Sequence, residues 1–96
     1  MTGRPAMEPL DYEIAKIQVR SDDAAVRRKL ATRPDLRPEM LFYLATDASD
    51  EVRREVATND ATPRQADLLL AGDSSAAVRE TLAAKIARLV LGPVMA

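Results

Sequence analysis

Apolar residues recur along the chain at the spacing of one helix face, i to i+3 or i+4. Val52 and Val56 form one stripe, and Val78, Leu82 and Ile86 form another. The pattern predicts an opening helix from about Pro9 to Arg20, with Leu10, Ile14 and Ile17 turned inward. A second predicted helix holds Val26 and is broken at Arg33-Pro34-Asp35. A third runs from about Arg37 to Thr46, with Pro38 in its first turn. Phe42 and Tyr43 are neighbours on it and cannot both point inward, so one is expected in the core with Leu41 and Leu44. A fourth begins near Ser49 and is broken at Asn59-Asp60. Thr62-Pro63-Arg64-Gln65 predicts a capping box with Thr62 as N-cap, opening a fifth helix through Leu68, Leu69 and Leu70 to Gly72. The last has no internal breaker and is expected from about Ala76 to Leu91, stopping at Gly92-Pro93.

Laid on itself, the chain repeats. Val26-Arg27, Val52-Arg53 and Val78-Arg79 recur with a period of 26, and residues 26–51 and 52–77 agree at nine of 26 positions. The agreement includes Arg28 with Arg54, Ala31 with Ala57, Leu44 with Leu70 and Asp47 with Asp73. The third copy keeps Val78, Arg79, Leu82 and Ala83 and then diverges. Ahead of the first copy, Ser21 stands where the repeat calls for Asp, with Asp22 and Asp23 beside it. Helices of about ten residues are marginal alone, whereas stacked pairs bury each stripe against the next. The expected fold is therefore all-α, a short right-handed α-solenoid of about three helical hairpins. A plain helical bundle is the alternative. Residues 9–92 would form this single domain, between a flexible tail at 1–8 and a C-terminal tail at 93–96.

Composition supports helices. Seventeen of 96 residues are Ala and aromatics are 3%, a mix unsuited to a sandwich or barrel. Cys and His are both absent, which removes thiolate metal sites, disulfides and the commonest general base. Fourteen basic and fifteen acidic residues leave a net charge of −1, so there is no bulk basic field for nucleic acid or anionic lipid. No P-loop, dinucleotide fingerprint or nucleophile elbow is present, and Asp47-Ala48-Ser49-Asp50-Glu51 lacks the Gly and spaced Glu of a calcium loop. No cofactor, metal or catalytic residue is expected. The N-terminal segment has no apolar core of a signal peptide and no run spans a bilayer, so the expected location is cytoplasmic.

The element Leu-Ala-x-Asp-x4-Val-Arg occurs at Leu44–Arg53 and again at Leu70–Arg79, and it resembles HEAT-type helical repeats. The short period, with Pro in the links, is also similar to the leucine-rich-repeat variant. Asp11-Tyr12-Glu13-Ile14-Ala15-Lys16 and Ala61–Leu70 resemble the N-terminal part of an uncharacterised bacterial family with HEAT-like repeats, whose members are generally longer. The resemblance implies a scaffold and no known reaction. The Fe–S cluster linked with the variant repeat needs cysteines that this chain lacks.

The recurring residues suggest two roles. Arg27, Asp47, Arg53, Asp73 and Arg79 are expected to form a structural ladder, each Arg bridging stacked carboxylates with its forked guanidinium. Arg28, Lys29, Arg33 and Arg37, with Arg54 in the next copy, form a basic cluster able to dock an acidic protein. The apolar C-terminal residues Ile86, Leu89, Val90, Leu91, Val94 and Met95 suggest a self-cap, a homodimer contact or a continuing chain. The expected function is a non-catalytic protein-interaction or scaffold module. The alternatives are a nucleic-acid contact through Arg27–Arg37 and a structural N-terminal segment of a longer regulator.

Overall fold

Four of the six helix starts are set by a short polar side chain that accepts an otherwise unpaired backbone N–H. Asp11 accepts from Glu13 and Ile14, Asp23 from Ala25, Ser49 from Val52 and Ser75 from Val78. In the computed structural model, which describes residues 8–92, the helices are α1 (Tyr12–Gln18), α2 (Ala24–Ala31), α3 (Pro38–Leu44), α4 (Asp50–Thr58), α5 (Arg64–Ala71) and α6 (Ala76–Leu91). No strand occurs among the described residues. The tails expected at 1–8 and 93–96 lie outside them, Glu8 excepted, as do Val94 and Met95. None of these helices is long and apolar enough to cross a membrane.

Helix α2 packs on α4 and α4 on α6, while α3 packs on α5; α1, α3 and α5 each touch the helix that follows them. The molecule measures 38 × 36 × 19 Å, and its short dimension fits two helix layers. Val52, Val56, Ala57, Val78 and Leu82 from the α4–α6 seam are buried, with Leu41, Leu44 and Leu70 from α3 and α5. These stripes follow the i, i+4 spacing of the sequence.

Three local expectations fail. On α1 the buried side chains are Ala15 and Val19, and Ile14 and Ile17 are exposed. Only one narrow face of this helix meets α2, and its backbone stands off from α3, so the larger residues are left on the open side. Phe42 and Tyr43 are both exposed, because Met40, Leu41 and Leu44 already fill the inner face of α3. Thr62 caps nothing. It is buried, its Oγ1 donates to the Val56 carbonyl at 2.8 Å, and Pro63 is the N-cap residue of α5. The helix start thus moves one residue on, and the hydroxyl satisfies a carbonyl at the end of α4 instead. The predicted stop at Gly92 is found, with φ of 66°, a conformation glycine adopts without strain.

A polar seam joins successive helix pairs at one repeat position. Asn59 Nδ2 donates to the carbonyls of Ala31 and Arg33, at 2.8 and 2.9 Å. One period later, Lys85 Nζ donates to the Asn59 carbonyl at 3.0 Å and to Asp67 Oδ1 at 2.8 Å. One period earlier, Arg33 donates to the Glu8 carbonyl and pairs with Asp35, whose other contact is the Leu10 N–H. Lys85 is 2% exposed, and a buried ammonium without its partners is costly. Replacing Lys85 by Ala is expected to cost roughly 2–4 kcal/mol, read by urea denaturation, against under about 0.5 kcal/mol for exposed Lys16→Ala. Equal losses would remove the seam from the account.

Candidate functional site

The loops before α4 and α6 fold alike because the same residues meet the same needs. Asp47 Oδ1 accepts from the Ser49 N–H and Asp73 Oδ1 from the Ser75 N–H, each at 2.9 Å. Arg27 reaches Asp47 through Nε at 2.7 Å and Nη2 at 3.1 Å, while its Nη1 donates to the Ser21 carbonyl at 2.6 Å. Arg53 repeats the arrangement on Asp73, at 2.8 and 3.2 Å, with Nη1 on the Asp47 carbonyl at 2.6 Å. Each guanidinium thus grips one carboxylate of the following turn and one carbonyl of the preceding turn. The bridging of two carboxylates expected from the sequence does not occur, because the backbone carbonyl takes the third N–H. Arg79 donates Nη1 to the Asp73 carbonyl at 2.6 Å and meets no carboxylate among the described residues.

At the first turn, Ser21 Oγ accepts from the Asp23 N–H at 3.1 Å. It reproduces the local half of the Asp role without the charge, and Asp23 takes the cap position held elsewhere by Ser49 and Ser75. Burial pushes the Asp73 carboxyl up. The hydrogen bonds from Arg53, the Ser75 N–H and the charges of Arg53 and Arg79 outweigh burial and hold it below its ordinary 3.8. Asp47 is lowered in the same way, by Arg27, Ser49 and Arg53 against its burial.

The predicted basic cluster is dispersed. Arg28 pairs with Glu55 at 3.2 Å, and Arg33 pairs with Asp35 at 2.9 Å. The Arg37 guanidinium lies 3.8 Å from the Tyr12 ring centroid. Arg27 belongs to the ladder. Arg28 and Arg54 do come together, around a shallow depression, but Glu51 and Glu55 share it. Lys29 is exposed and makes no ion pair among the described residues. No group of three or more metal-ligating side chains occurs among those residues.

Sequence reasoning missed an apolar column. Ile17, Tyr43 and Leu69 are spaced by one period of 26 on α1, α3 and α5, and all three are exposed, at 73%, 55% and 47%. Phe42 and Leu68 form a second such pair and are also exposed. A groove between α1 and α3 is lined by Tyr12, Ile17, Met40 and Tyr43. The signal was available, since the repeat register alone places these residues at equivalent positions.

No family model, curated protein or solved structure matches the chain.

Asp73→Ala leaves the Arg53 fork without its carboxylate and is expected to cost about 1–3 kcal/mol near neutral pH, against under about 0.5 for exposed Glu39→Ala. The lowered Asp73 pKa gives stability that is present above the ordinary value of 3.8 and is lost as pH falls through the lower folded value. Thermal melts should therefore show the gap to wild type narrowing on acidification below 3.8. A gap constant with pH, or matched by Glu39→Ala, would contradict the ladder.

Proposed function

We propose that the chain is a non-catalytic protein-docking module, a short HEAT-like α-solenoid of the pairs α1–α2, α3–α4 and α5–α6. Two sets of period-26 hydrogen bonds support the solenoid reading. The Arg27–Asp47 and Arg53–Asp73 pairs repeat within 0.1 Å of each other, and Asn59 and Lys85 each donate to the carbonyl one period back.

The observation that carries the docking role is the exposed column Ile17–Tyr43–Leu69. Large apolar side chains at equivalent positions of three helices offer a partner a repeated set of apolar contacts, and exposed apolar patches mark interaction surfaces. The Arg–Asp ladder fixes successive turns beforehand, which lowers the ordering cost at binding. This face differs from the Arg28–Arg54 surface suggested by the basic residues, where glutamates offset the charge. Engagement of Arg27, Arg28, Arg33 and Arg37 within the molecule gives the nucleic-acid alternative little to rest on.

A nuclease-treated pull-down from native lysate tests the reading. Wild type and Arg28→Glu/Arg54→Glu are expected to retain one discrete protein that Tyr43→Ser/Leu69→Ser loses. Retention by the Tyr43→Ser/Leu69→Ser variant, or recovery of nucleic acid alone, would overturn it.

A further inference from the structure

The ladder has an open end, and its chemistry specifies what fits there. Arg27 and Arg53 each close their Nε–Nη2 fork on the aspartate twenty residues ahead. Arg79 has the same anchor, Nη1 on the Asp73 carbonyl at 2.6 Å. Its fork, by contrast, meets no carboxylate among the described residues.

The same edge is bare in a second respect. Ala31 and Ala57 are fully buried at the α2–α4 and α4–α6 seams, whereas their equivalent Ala83 on α6 is exposed. Ala45 is buried, whereas its equivalent Ala71 is exposed. Small residues at these positions let a neighbouring helix approach closely, and α6 has none on that side.

Resting on the repeat-module reading above, we propose that the α5–α6 edge docks a helical pair of a partner polypeptide whose helix-preceding turn carries an aspartate. Arg79 takes both carboxylate oxygens in the fork geometry of Arg27 and Arg53, and the incoming helix covers Ala83 and Ala71. The opposite end of the molecule is not that partner. It exposes apolar Ile14 and Ile17, so it has surface to bury, but its turn carries Ser21 in place of the aspartate. A second copy added head to tail would set the Ser21 hydroxyl at the place of the carboxylate, with Asp23 already engaged as the cap of its own helix. The Ser21 and Arg79 pairing thus selects against self-stacking, a mismatch that disfavours the wrong partner.

The chain itself supplies the probe. Ser21→Asp restores the aspartate in a turn whose two equivalents already hold one with the same N–H contact. Combining it with Arg79→Met gives a chain that offers an aspartate turn and has no fork of its own. Circular dichroism melts establish that each variant is folded. Association is then measured by sedimentation velocity on labelled, purified chains. The Ser21→Asp/Arg79→Met chain is expected to bind wild type at least tenfold more tightly than it binds Arg79→Met. Arg79→Met with Ser21 intact is expected to bind wild type no better than that weak level. Equal binding with and without Arg79, or no complex with wild type at any concentration reached, would overturn the proposal. So would equally tight binding of wild type by Arg79→Met with and without the Ser21→Asp change, which would make a second copy the occupant. These purified-chain results stand apart from the lysate test, which addresses the Tyr43–Leu69 face and can fail without them.

Discussion

The guanidinium of Arg53 ties three pieces of the fold: its own helix, the turn before it and, twenty residues on, the turn before α6. It does so through one carbonyl contact and a two-toothed grip on Asp73. Both partners are largely withdrawn from water, with side chains 15% and 7% exposed. A planar, always-charged fork meets a carboxylate at fixed distance and angle, so the separation of successive turns is set by covalent geometry. Arg27 imposes the same separation one period earlier. The short helices, each of two or three turns except α6, depend on that spacing, because none buries enough alone to persist.

The opposite edge of the slab uses a different device for the same end. Asn59 and Lys85 occupy equivalent positions and reach back to the carbonyl of the preceding pair, although one is an amide and the other an ammonium. What is preserved is a donor of sufficient reach, and the length of Lys85 lets it take Asp67 as well. The apolar stripes Val52–Val56 and Val78–Leu82 lie between the two polar seams. The seams fix how the helix pairs sit, and the stripes supply the non-directional burial that drives them together. The surface left over is patterned because the frame is patterned, which is why Ile17, Tyr43 and Leu69 come out at equivalent places.

Much of this was legible in the residues. The helices follow the apolar spacing, and four starts follow the small polar residues that precede them. The recurrence of Val-Arg with an Asp six residues before the Arg announced a repeated polar contact, and the 26-residue period put its members in line. Other features depended on three-dimensional facts absent from local pattern. Whether Ile14 and Ile17 face inward depends on how many neighbours α1 has, and it has too few. Thr62 reads locally as a cap, but the Val56 carbonyl at the end of α4 competes for its hydroxyl and wins. The basic residues of α2 and its following loop read as a cluster along the chain. Their partners Asp47, Glu55 and Asp35 come from three different places in the fold. Register would have found the apolar column and the Asn59–Lys85 seam, since both obey the same period as the ladder.

The proposed role follows from the combination of repeated Arg–Asp contacts, exposed apolar residues at equivalent positions and one arginine fork that meets no carboxylate among the described residues. All three depend on the Arg–Asp contact as a real energetic coupling between successive turns. A double-mutant cycle on Arg53→Met and Asp73→Asn, followed by urea denaturation at neutral pH, tests that coupling most directly. Two side chains that hold each other should show a coupling energy of at least about 1 kcal/mol, the double variant losing less than the sum of the single variants. Additive losses within about 0.3 kcal/mol would mean that the two residues share a place without sharing an interaction, and the ladder would not be what spaces the helices.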